Sequence, residues 1–281
     1  MTATHRRHPL PNFLRPVRPL TRVMPALAAL IAWEAIARTH NLLYLPPPTT
    51  VIARAYRLWF AGPASRAFLT EEALADLLPS LTRLALGWTL AATLGLTAGL
   101  ALGRLPILAA LTDPILHVAR AIPPPALLPL FLATLPIGTP TQLATIVCGV
   151  IWPILINTAD GVRQVHHAYL DTADVFRLGR WRRLLSVLVP AAAPRIPAGL
   201  RLSVSLALIM MVVSELTAST DGLGYRLQQA AATLDVPAMW AVILLLGATG
   251  ITANGGFLLL QRRLLRSRQG TPPPGHALAW T

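Results

Sequence analysis

The sequence contains no lysine: all 24 basic residues are arginine. Without lysine there is no G-x-x-x-x-G-K-S/T phosphate loop, so the chain cannot itself be a P-loop ATPase. The single cysteine, Cys148, lies inside an apolar run, which excludes an intrachain disulfide and reads as a small packing residue. No Cys/His spacing suits a metal, and His166 and His167, being adjacent, point to different sides of a helix. G-x-S-x-G is absent too. These absences argue against catalysis and against a resident metal or cofactor. Charge is also scarce, at 12% Asp, Glu, Lys and Arg.

What is present is apolar side chain. The 281 residues are 54% hydrophobic, with a mean hydropathy of +0.57. That is too greasy for an ordinary soluble domain and leaves room for several membrane spans of about 20 residues each. The net charge of +13 raises nucleic-acid binding as a possibility. The arginines, however, sit between and beside apolar runs, the pattern of cytoplasmic loops next to lipid headgroups. No nucleic-acid partner is expected.

Arg6, Arg7, Arg15, Arg18 and Arg22 place residues 1–22 in the cytoplasm. Val23–Ala37 then reads as an uncleaved first span; Trp33 and Glu34 set it against protein. The prolines of 45–51 end any helix, Thr49 or Thr50 can cap the next one, and Glu71, Glu72 and Asp76 read as solvated. Pro79–Gly103 is the clearest span. Within it Gly87, Ala91, Gly95, Gly99 and Gly103 recur every fourth residue, a spacing that lets two membrane helices approach closely. Leu105–Ala121 is the next span. The proline cluster at 122–131 breaks it, and broken backbone at membrane depth must be buried in protein or line a cavity. Residues 120–138, with Pro124 and Pro125, are therefore expected beside a translocation path. Thr141–Ala159, Ala198–Leu216 and Val236–Gln261 complete six spans. The arginine count puts both termini and the loop at 160–197 inside, with Arg38, Arg54, Arg57 and Arg66 of the long outer loop as the exception.

Two features stand out against this frame. The stretch from Asp171 to Pro197 is charged and helix-prone between two oily runs, so it must lie in water or against a partner. Glu215 ends the apolar run of the fifth span. An acid there either faces the bundle interior as a gate or pathway residue, or is bonded to a nearby helix end. Met211 is a second pathway candidate, with packing as its plainer role.

With these segments placed, the chain resembles the membrane-spanning permease subunits of ABC importers. Within them it is similar to the group serving nitrate, taurine and aliphatic sulphonates. The matching stretches are L-P-P-P-T-T-V at 45–51, S-L-T-R-L-A-L-G-W at 80–88, I-P-P-P-A-L-L-P-L-F at 122–131, V-P-A-A-A-P-R-I at 189–196, G-L-R-L at 199–202 and D-G-L-G-Y at 221–225. The family's loop carries E-A-A, three residues, then Gly, with Leu-Pro further on. Here D-T-A stands at Asp171–Ala173 and Pro190 in the proline position. Arg177 takes the glycine position, and a glycine follows only at Gly179.

The resemblance implies an all-α integral membrane protein of about six spans, with a cytoplasmic coupling helix-turn-helix between spans four and five. A basic N-terminus at 1–22 and a basic, Pro-rich tail at 262–281 would flank a permease domain at 23–261. It implies docking of an ATPase through Asp171, Thr172, Ala173, Arg177, Gly179, Arg180 and Arg182. It also implies a permease homodimer, two ATPase subunits that hold ATP and Mg, and a periplasmic or lipid-anchored binding protein delivering a small organic anion. The chain would sit in the bacterial inner membrane. The competing expectation is an ion-coupled secondary transporter using Asp113 and Glu215 as ion sites.

Overall fold

The computed structural model describes residues 19–40, 42–193 and 195–266. The arginines at 6, 7, 15, 18 and 268, and most of both terminal segments, lie outside them. Every regular element among the described residues is helical. The α-helices in order are α1 (Pro19–His40), α2 (Pro48–Ala55), α3 (Glu71–Arg104), α4 (Pro106–Ala119), α5 (Leu128–Thr134), α6 (Thr139–Arg163), α7 (His167–Val175), α8 (Arg180–Arg183), α9 (Val189–Ala192), α10 (Ile196–Ala218), α11 (Leu223–Ala232) and α12 (Val236–Arg266), with short 3-10 and π turns at Tyr56–Phe60, Ala64–Arg66, Pro124–Leu127 and Leu184–Leu188.

Several boundaries differ from the sequence reading for local reasons. The third helix starts two turns before Pro79. Thr70 caps it by accepting from the Ala73 N–H at 3.0 Å, and Glu71 and Glu72 favour its positive N-terminal end. Thr49 and Thr50 lie inside α2 and do not cap it: Pro48 opens that helix. Its cap comes from another element, because Glu34 of α1 accepts from the Thr49 N–H at 3.1 Å and from its hydroxyl at 2.8 Å. Asp76 is buried, not solvated. The Trp59 indole donates to it at 3.3 Å and Arg226 approaches to 3.5 Å.

The bundle is built on α3, α6 and α10. Gly87 faces Ile146, Gly95 faces Ile154 and Gly103 faces Val162, so α3 and α6 run parallel. Gly99 shows how close the approach is: a Cβ added there would sit 2.7 Å from the Leu155 carbonyl oxygen. Helices in lipid gain mainly from such packing, since apolar surface gains nothing by leaving hydrocarbon. The opposite face of α3 is exposed, yet its Thr89, Thr93 and Thr97 hydroxyls return to the carbonyls four residues earlier, which leaves no unpaired donor facing outward. Gln142 reaches the Ala218 carbonyl at 3.0 Å while Gly199 packs on Pro153, so α10 is antiparallel to α6.

Two parallel helices need one crossing between them. Between α3 and α6 lies the pair Pro106–Ala119 and Pro124–Thr134, bent by 85°, which has the geometry of a broken span or a re-entrant loop. Among the described residues four helices are long and apolar enough to cross a membrane, or five with the bent pair taken as one span. The first helix is not among them; Glu34 and Arg38 sit in its last turns.

Candidate coupling loop and buried charge network

The directions of α3, α6 and α10 give the bundle two unlike ends. At one end the residues between α6 and α10 form a folded-back helical loop. Val162, Val165, Leu188 and Ala192 make a small core, with Leu100, Leu170 and Leu184 packed against it. The loop is thereby fixed to the ends of α3 and α6. His166 caps α7, its Nδ1 accepting from the Ala168 N–H at 3.2 Å. Arg183 reaches across to Asp174 and ties α8 to α7.

The C-terminus of α7 follows from two backbone bonds. The Leu178 N–H donates to the Ala173 carbonyl at 3.0 Å, and the Arg177 N–H to the Asp174 carbonyl at 2.9 Å. Together these close a Schellman motif, whose capping position takes a left-handed backbone. Arg177 occupies it, with φ +48°. A residue with a Cβ pays about 1 kcal/mol there, which is why glycine is favoured. Gly179, two residues on, has φ −59° and open space at its Cα, so it does not take over that role.

Of the loop residues singled out from the sequence, Ala173 is buried, and Asp171, Thr172, Arg177, Gly179, Arg180 and Arg182 are exposed. The sequence reading missed the apolar part of this surface. Tyr169, Val175, Phe176 and Trp181 are each at least 60% exposed. Beside them a groove runs between α7 and the turns before α9, lined by Ala173, Phe176, Leu178, Val187 and Pro190.

At the other end of the bundle lies a buried charge network. Glu215 of α10 is fully buried. Ser80 of α3 donates to its carboxylate at 2.8 Å, Arg83 at 3.0 Å and the Gly224 N–H of α11 at 2.9 Å. Ser80 in turn accepts from the Leu223 N–H at 2.8 Å. Arg83 also holds Asp221, through the carboxylate and the carbonyl. Both glycines of D-G-L-G-Y serve this carboxylate. Gly222 turns the chain at φ +98°, and a Cβ there would meet Glu215 Oε2 at 2.7 Å; at Gly224 one would meet Glu215 Cβ at 2.5 Å. Two stretches singled out separately, 80–88 and 221–225, therefore meet at Glu215. Both its oxygens accept hydrogen bonds.

Met211 is fully buried among Ile146, Val150 and Ile154. Pro124 is part-buried against Gly149 of α6, and Pro125 is exposed. Asp113 and Arg120 do not pair: Asp113 lies 3.5 Å from Arg163, and Arg120 contacts His117 at 2.8 Å.

The arginines divide between the two ends. At the Glu215 end, Arg38, Arg54, Arg66, Arg83 and Arg226 each have an acidic partner, while Arg57 has none among the described residues and reaches only the Ala53 carbonyl. At the loop end, Arg163 pairs with Asp113 and Asp160 and Arg183 with Asp174, while Arg104, Arg120, Arg177, Arg180, Arg182 and Arg195 have no acidic partner among the described residues.

Residues 91–266 match the model of the binding-protein-dependent transport system inner membrane component. The chain belongs to that family, the permeases of ABC importers. It is 31% identical over 250 residues to the taurine transport system permease protein of Escherichia coli, covering 88% of this chain and 90% of that one. It is 30% identical over 260 residues to the bicarbonate transport system permease protein of Synechocystis, covering 91% and 92%. It is 32% identical over 213 residues to the nitrate import permease protein of Synechococcus elongatus, covering 75% and 76%.

Proposed function

We propose that this permease imports a small anion of the nitrate, bicarbonate, taurine or sulphonate kind, delivered by an external binding protein and driven by ATP hydrolysis on separate subunits. The observation that carries the reading is the loop at 164–195. It is anchored by its own apolar core to α3 and α6, yet it presents exposed aromatic and cationic side chains outward. Such a body can turn the movement of a partner into movement of spans. Two copies form the pathway, and two ATPase subunits, which hold ATP and Mg, take the two loops.

The division of arginines supports the orientation. The loop end carries Arg104, Arg120, Arg163, Arg177, Arg180, Arg182, Arg183 and Arg195, more arginine than the far end, and an excess of arginine belongs on the cytoplasmic side. Taking α1 and the α4–α5 pair as spans gives six, with both termini inside. Residues 23–261 are then the permease domain between two basic cytoplasmic segments. The relatives' names support an anionic cargo.

Uptake of labelled nitrate, bicarbonate, taurine and short alkanesulphonates by cells carrying the whole transport system tests the substrate class. Saturable uptake of one of them, lost when the permease is deleted, is the expected result. Unchanged uptake of all four after deletion overturns the anion assignment.

A further inference from the structure

The left-handed cap of α7 holds a residue that its backbone geometry disfavours. With φ at +48°, a glycine at position 177 would form the same two cap bonds without strain. The arginine adds no compensating ion pair: Arg177 is exposed, and no carboxylate lies within ion-pair distance of it among the described residues. Its neighbours Val175 and Phe176 are 80% and 72% exposed, and Trp181, next along the same surface, is 75% exposed. The nearest intramolecular pair, Arg183–Asp174, leaves it out. Leu234 closes α11 through the same left-handed cap; what sets Arg177 apart is an unpaired guanidinium beside an exposed apolar patch, which points outward to an interaction that the folded chain does not itself contain.

We propose that Arg177 is a specificity-determining residue of the loop, pairing with a carboxylate on the surface of the ATPase subunit that docks there. The proposal rests on the reading of the loop as the ATPase dock. The exposed aromatic and aliphatic side chains supply the area of that contact, and Arg177 supplies a directional, charge-assisted bond at its rim. A guanidinium suits this position, since it offers several donors in a planar fork that matches a carboxylate. The capping geometry aims it: the left-handed turn ends α7 and lifts residue 177 clear of the helix it closes. Stability is thus exchanged for partner choice at one residue.

Strain and recognition move in opposite directions in the variant Arg177→Gly, which makes the test discriminating. The whole permease is co-expressed with the ATPase subunits of its transport system and extracted in mild detergent. Two quantities are read: the ATPase retained on the purified permease, and the melting temperature of the permease alone. Arg177→Gly is expected to melt higher than the wild type while holding the ATPase about tenfold more weakly. Added salt is expected to weaken the wild-type complex more than the variant complex. Arg177→Glu is expected to bind more weakly still. Arg177→Gly with unchanged or stronger association overturns the pairing, and so does a lower melting temperature, because the position would then not be strained. Val175→Asp separates this from the underlying reading. Association lost in Val175→Asp but kept in Arg177→Gly sinks the role of Arg177 and leaves the loop as the dock. Association kept in both sinks the dock itself.

Discussion

Arg83 and Glu215 lie 132 residues apart in sequence and 3.0 Å apart in space, on two helices whose side chains are otherwise mostly apolar where they meet. Both are buried, and between them they gather α3, α10 and the start of α11 into one unit. Arg83→Ala leaves the buried Glu215 carboxylate without its countercharge and is expected to cost about 3–5 kcal/mol in unfolding measured in detergent; Glu215→Ala is expected to cost less, because Arg83 keeps Asp221. Replacing both by alanine is expected to cost less than the sum of the single changes. Additive losses in that double-mutant cycle would show that the pair is not coupled.

The approach of α3 to α6 gives a second expectation. Gly99→Ala places a Cβ 2.7 Å from the Leu155 carbonyl and should destabilise by about 1–3 kcal/mol. Gly247→Ala in α12 meets nothing within 4 Å and should be neutral or stabilising by about 0.5–1 kcal/mol, since alanine is the better helix former. Thermal unfolding of the two variants side by side checks the difference, and equal losses would contradict the close packing.

Orientation can be read by labelling. In a Cys148→Ser background, Gly179→Cys and Thr220→Cys place single thiols at exposed positions on opposite ends of the bundle. A membrane-impermeant maleimide is expected to label position 220 in intact spheroplasts and position 179 only in inside-out vesicles. The reverse pattern would invert the topology.

How much of this was visible in the sequence depends on the range of each interaction. Helical class, membrane character and family follow from local runs and motifs, and were legible. The every-fourth-residue row at Gly87–Gly103 shows in the sequence, but the helix it meets does not. Pro79 misled as a helix start because Thr70 with Glu71 and Glu72 is the stronger signal: a cap bond and two favourable charges outweigh one missing N–H. Of the surroundings of Glu215 only the bond to a nearby helix end, made by the Gly224 N–H, was among the alternatives the sequence offered. Ser80 and Arg83 looked like ordinary members of a span, and nothing local says that an acid beyond the next hundred residues will meet them. Asp76 went the same way, its partners Trp59 and Arg226 coming from either side of the chain. The left-handed backbone at Arg177 had a signal, the displaced glycine, but only the two cap bonds explain it.

The most direct measurement is transport by the permease reconstituted in vesicles with its ATPase and binding protein, comparing wild type with Val175→Asp. ATP enclosed with the ATPase is expected to drive substrate accumulation by the wild type, unaffected by an uncoupler, and the folded loop variant is expected to lose it. Accumulation that proceeds without ATP and collapses with the uncoupler would contradict an ATP-driven importer and favour ion coupling.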